Sequence, residues 1–231
     1  MPLGNRCTIQ FENCNIYTLT ILNIASSFPF AYGLRTLRAL FWLMHTLEPF
    51  FNWRGFYTAE DDDRSPFYGR EYSEFEFTDA IYDHVLHPQW DNFGSATLYL
   101  KILFCDYASG YAIIELIGEW NDLLYNDIML LKRDIVDHLI HEGISKFVLI
   151  GENVLNFHSS DDEYYAEWFD DIDDGWIIGL NFRDHVMNEM RDAQLDWYIN
   201  LGGQFQHIPW RTFTPIDLCE QLNTLVMRRI G

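Results

Sequence analysis

Lys146-Phe147-Val148-Leu149-Ile150-Gly151 is the stretch whose reading decides the fold. It is a short apolar run closed by a glycine, which reads as a buried strand. A second run of the same kind, Trp176-Ile177-Ile178-Gly179-Leu180-Asn181-Phe182, lies about 30 residues on. Between them stands an acidic stretch with helical character, from about Asp161 to Ile172. Strand, helix, strand is the signature of a βαβ layer, in which the two strands run parallel.

Working outward, Thr97–Tyr107 and Tyr111–Ile117 form an apolar pair around Ala108-Ser109-Gly110, which predicts a hairpin. A helix follows from about Tyr125 to His141, with Ile128, Leu131, Ile135 and Leu139 as its stripe and Gly143 as its stop. Downstream, the pattern predicts a helix over 183–201 ended by Gly202-Gly203, then a short strand at Phe205–Pro209. A last helix is capped at Thr214-Pro215 and runs to Arg229. Strands near 98–106, 111–117, 146–151 and 176–181 should share one sheet. The first 95 residues read differently. Strands at 7–11 and 16–24 flank an Asn13-Cys14-Asn15 turn, and a helix spans about 32–47 before Pro49. An irregular acidic and aromatic stretch covers 52–77, and a short helix runs from Thr78 to Leu86 before Pro88. The expected fold class is α/β or α+β, with a mixed, partly parallel sheet and flanking helices. A smaller N-terminal β-β-α segment (1–95), packed on the rest, precedes the α/β layer (96–231).

Thirty-five acids against 15 bases give a formal charge of −20 over 231 residues. A field of that sign repels phosphate backbones and anionic lipid, so direct nucleic-acid binding is disfavoured. Apolar residues at 48% supply a real core, and aromatics at 17% serve both core and contact surface. The four cysteines form no Cys-x-x-Cys pair, and Cys105 lies in an apolar run, so the chain reads as a cytoplasmic protein of a reducing compartment. Residues 14–34 carry no charge, yet they hold Asn15, Asn23, Ser26, Ser27 and Pro29; a strand and a helix entry describe them better than a membrane span.

From about residue 97 to 209 the order of elements resembles a STAS domain, the anti-sigma-factor-antagonist type of regulatory module. An apolar strand leads into Gly118-Glu119-Trp120-Asn121-Asp122, a helix ends at Glu142-Gly143-Ile144, and Phe147-Val148-Leu149-Ile150 follows. The family's Asp-Ser-Ser-Gly-like turn falls at His158-Ser159-Ser160-Asp161, with His158 in place of the aspartate and Asp161 in place of the glycine. The resemblance implies a regulatory binding role, with phosphorylation at Ser159 or Ser160.

No Gly-x-Gly-x-x-Gly and no Gly-x4-Gly-Lys-Ser/Thr occurs, which argues against dinucleotide and P-loop chemistry, and nothing calls for a cofactor. Asp134, His138 and His141 share one helical edge, a spacing that can present metal ligands but that an exposed face explains as well. Asp184 and His185 follow a strand end, where α/β proteins place ligand sites, and helix capping is the simpler account. The loudest signal is the stretch from Phe147 to Phe182, with nine acids and no Lys or Arg. Ser160 and Glu163 have capping-box spacing. Asp170, Asp171, Asp173 and Asp174 crowd the end of the helix where its dipole disfavours them. The leading expectation is therefore a non-enzymatic interaction or regulatory protein. Its partner surface comprises Asp161, Asp162, Glu163, Tyr165, Phe169, Asp170, Asp171, Asp173 and Asp174, suited to a basic protein partner. Two alternatives stand beside it: a metal-assisted hydrolase using Asp and His groups, and an acidic decoy or immunity-type inhibitor of a basic nucleic-acid-binding protein.

Overall fold

The computed structural model describes residues 48–73, 76–82 and 84–230, with side chains through Arg228. The chain divides into two compact units, Met1–Thr46 and Leu47–Gly231. The expected strands at 7–11 and 16–24, the helix at 32–47, Cys7, Cys14 and the uncharged stretch 14–34 lie outside the described residues. Residues 48–95 fall within the second unit. Trp53, Phe67, Trp90 and Phe93 are buried in its clusters.

Strand β1 (Ala80–Ile81) and strand β2 (His84–Val85) pair as a small antiparallel hairpin. This replaces the helix expected over 78–86. Tyr82 takes a left-handed conformation (φ 51°), and the Leu86 amide closes the hairpin on the Asp79 carbonyl at 2.8 Å. The main sheet has five strands in sequence order: β3 (Leu98–Asp106), β4 (Tyr111–Asn121), β5 (Lys146–His158), β6 (Trp176–Leu180) and β7 (Ile199–Leu201). β3 and β4 are antiparallel, and β4, β5, β6 and β7 are mutually parallel. The fold is therefore mixed α/β, and all four expected strands lie in one sheet.

Helices α1 (Asp122–Tyr125), α2 (Asp127–Leu130) and α3 (Asp137–His141) form one interrupted rod. Asn126 (φ 53°) breaks it early, and a π turn at Leu131–Val136 widens its middle. Helix α4 (Glu163–Asp171) joins β5 to β6, and α5 (Asp184–Asp192) joins β6 to β7. Helix α6 (Pro215–Ile230) closes the chain, with the Thr214 hydroxyl accepting the Asp217 amide at 3.2 Å.

Strand alternation divides the core between the two faces of the sheet. Ala112, Ile114, Leu116, Phe147, Leu149 and Ile177 pack against α2–α5. Ile113, Val148, Ile150, Ile178 and Leu180 pack against α6 and Trp53. Each such valine, leucine, isoleucine or phenylalanine contributes roughly 1.5–3 kcal/mol on burial.

Two boundaries moved for steric reasons. β4 runs past Gly118 to Asn121, and glycine at 118 (φ 120°) permits this close passage, since a side chain there would overlap the Thr97 carbonyl and Ile81. The helix expected to reach Leu201 stops at Asp192. Residues 199–201 instead add β7 alongside β6, where Gly179 leaves room for the Leu201 side chain. The expected strand at 205–209 is a 3₁₀ turn and loop.

Candidate functional site

Helix α4 presents the acidic face. Tyr165, Trp168 and Ile172 recur at helical spacing and are buried, so the stripe they form is core. Tyr165 is thus removed from the expected contact surface: it is 1% exposed, and its hydroxyl donates to Asp122 at 2.6 Å. Phe169 stays exposed, as do Asp161, Asp162, Glu163, Asp170, Asp171, Asp173 and Asp174. Ser159 and Ser160 are exposed in the loop between β5 and α4. The expected Ser160–Glu163 capping box does not form, since the helix begins at Glu163 after Asp162, whose carboxylate accepts the Tyr198 hydroxyl at 2.8 Å.

Cations that the local sequence lacks arrive from the π turn. The fully buried Lys132 ammonium donates to Asp171 at 2.8 Å and to Asp137. Burial lowers the affinity of Lys132 for its proton, but those hydrogen bonds outweigh it, and its pKa is raised. Arg133 forks onto Glu167 at 2.7 and 2.8 Å. The dipole conflict at the end of α4 is thereby partly relieved within the fold. Asp161, Glu163, Asp170, Asp173 and Asp174 form no ion pair among the described residues.

The other face of the sheet carries a second set of polar groups. Lys101 on β3 stands opposite Glu115 on β4, between the apolar cluster around Ile113 and a smaller one of Ile81, Leu86, Trp90, Tyr99 and Ile117. Glu115 is 1% exposed. Its carboxylate accepts the Phe50 amide at 2.8 Å and faces Arg211 at 3.5 Å. Burial pushes the Glu115 carboxyl up to about 7, the Phe50 amide and Arg211 oppose this, and the Glu152 charge adds to it. The β4–β5 register shifts beyond Glu115, so β5 bulges near Gly151 and Glu152. Glu152 accepts from Asn181 and the Trp210 indole, both at 2.9 Å, and from Arg211. One guanidinium therefore bridges two glutamates. Lys101 pairs with Asp91 at 3.2 Å and Glu60 at 3.5 Å, while Tyr72 donates to Asp91 at 2.5 Å.

Beyond this band, over the carboxyl-terminal halves of β4 and β5, lies a cleft of about 340 Å³. Ile117, Asn153 and Leu155 form its floor, the β1–β2 hairpin one wall, and Arg183 its rim. Nearby, Glu119 accepts the Tyr82 hydroxyl at 2.6 Å and pairs with His158 at 3.0 Å.

The candidate acid–base and metal residues weighed in the sequence do not gather. His138 Nε2 meets the Arg64 carbonyl at 2.9 Å and His185 Nε2 the Leu155 carbonyl at 2.6 Å, while Asp134, His141 and Asp184 are exposed. No group of three or more His, Cys, Asp or Glu among the described residues could hold a metal ion. No helix among the described residues is long and apolar enough to cross a membrane. Cys105 and Cys219 are buried free thiols, each pushed up to about 12 by burial.

No family model matches this chain, and no similar curated protein is found.

Proposed function

We propose that the chain is a protein-binding module that uses the α4 face to hold a partner with a basic surface. One observation carries this reading. Five carboxylates on and beside α4 (Asp161, Glu163, Asp170, Asp173 and Asp174) have no cation among the described residues, and exposed aromatics stand beside them. Phe169 is 42% exposed, and its ring lies 6.1 Å from that of Tyr198; the neighbouring Trp197 is 71% exposed. Acids rimming aromatic anchors suit an interface in which charge sets the on-rate and rings set the residence time. A partner whose basic face binds nucleic acid would be blocked by the same surface.

The test is association kinetics against a partner retrieved from the source cells and then purified. Neutralising the five acids as Asn or Gln should slow association and flatten its salt dependence. Trp197→Ala should mainly speed dissociation. Unchanged rates for both variants at every ionic strength would end the proposal.

A further inference from the structure

We infer that the cleft between the β1–β2 hairpin and the carboxyl-terminal halves of β4 and β5 binds a small amphiphile, an aliphatic body carrying one carboxylate. The place lies over the carboxyl-terminal halves of β4 and β5, toward the end of the sheet at which α/β folds bring ligands. The cleft holds about 340 Å³, within the range of small-molecule sites and enough for roughly ten non-hydrogen atoms. Its apolar surface comes from Ile81, Leu86, Ile117 and Leu155. Ile81 lies against Gly118, where a Cβ would come within 2.7 Å of the end of its side chain, so the hairpin packs closely over β4.

The polar groups decide the class of ligand. The neighbouring glutamates already have donors: Glu152 takes Asn181, Trp210 and Arg211, and Glu119 takes Tyr82, Asn121 and His158. Arg183 spends its Nε on the Glu152 carbonyl at 3.2 Å and forms no ion pair among the described residues. Arg183 and Asn153 both line the cleft, and the Arg183 guanidinium keeps donors beyond the one that the Glu152 carbonyl takes. A carboxylate matches that fork, and an aliphatic tail matches the floor.

Octanoate, octanol and octylammonium, titrated into the full chain by calorimetry, separate the possibilities. Octanoate should bind saturably at one site, more tightly than either analogue. Arg183→Gln should weaken octanoate about tenfold or more and leave octanol within about twofold, as loss of a charge-assisted pair would. Leu155→Trp, which fills the floor, should abolish binding of both. A thermal melt of each variant reports whether it is folded, and Arg183, on the surface, can be changed without disturbing the core. No saturable octanoate binding to the unaltered chain, tighter binding of octylammonium, or octanoate affinity indifferent to Arg183→Gln would each overturn the inference.

Discussion

Two acidic regions of this molecule differ in nearly every physical respect. On α4 the carboxylates are many, exposed and, for the most part, able to reach water. Around the sheet they are few and buried: Glu115 and Asp122 are 1% and 3% exposed. Asp122 accepts from the Trp120 indole at 2.9 Å, the Ile128 amide at 2.8 Å and the Tyr165 hydroxyl at 2.6 Å, and burial pushes it up to about 6. The contrast separates abundance from consequence. A run of exposed acids contributes little energy per residue, because water solvates each one. A single buried carboxylate either organises its surroundings or strains them.

The comparison is tested hardest at Asp122. Its replacement by alanine would strand three donors in the core at once, each costing roughly 1–3 kcal/mol. Asp122→Ala should therefore lower stability by about 3–5 kcal/mol, read as a drop in the urea midpoint at constant slope. A loss below about 1 kcal/mol would mean that the three donors find other partners.

Glu115→Gln should shift stability in the opposite sense to Asp122→Ala, because the amide removes a charge that burial disfavours and still leaves an acceptor in place. The pKa of Glu115 rises from the ordinary 4.5 to about 7 on folding, so the folded state binds more protons across that window. Stability from this group is fully present below about 4.5 and is lost as pH rises through about 7. Glu115→Gln keeps an acceptor for the Phe50 amide, removes the charge and forfeits the attraction to Arg211. At pH 8 it should gain roughly 1–3 kcal/mol, and at pH 5 almost nothing. A variant no more stable than the unaltered chain at pH 8 would show that Arg211 fully offsets the burial.

How far the sequence reveals this contrast depends on whether a signal is periodic. The runs 146–151 and 176–182 identify the sheet because Phe147 to Ile150 and Trp176 to Leu180 are all buried against one face or the other. The acidic stretch is equally visible, but its neutralisation is not. Lys132 lies in the pattern of another helix, and only the π turn and the crossing of the two helices bring it to Asp171. Glu115 is silent for the converse reason. One glutamate inside Tyr111–Ile117 looks like an outward-facing residue of a half-buried strand, whereas both faces of β4 are covered. The cleft is assembled from four separate segments with no common motif. Tyr165 and Phe169 were indistinguishable by composition, and the rotation of α4 on the sheet assigned one to the core and the other to solvent.

Lys132 lies between the two regions, since its ammonium is buried while its partners are not. Breaking a buried ion pair usually costs about 3–5 kcal/mol, because the surviving charge is trapped. Here the survivors, Asp137 and Asp171, are 33% and 46% exposed and can rehydrate. Lys132→Met should therefore cost only about 1–2 kcal/mol in chemical denaturation. A larger loss would place α4 and its acids energetically with the buried set.

The smallest effect is expected at the unpaired end of α4, and it is the most informative about purpose. Asp170, Asp173 and Asp174 lie where the helix dipole is already negative, and none pairs with a cation among the described residues. Asp171 must be left alone, because Lys132 depends on it. In Asp170→Asn, Asp173→Asn, Asp174→Asn, three mutually repelling charges vanish and no ion pair is lost. The thermal midpoint should rise slightly at low salt, by the equivalent of less than about 1 kcal/mol. The gain should fade as salt is raised, because the Debye length falls from about 30 Å at 0.01 M to about 3 Å at 1 M. Adding Asp171→Asn to the triple variant should reverse the gain by freeing Lys132. If the triple variant instead loses stability at low salt, these carboxylates serve the fold itself, and the case for a partner-facing surface loses its physical motive.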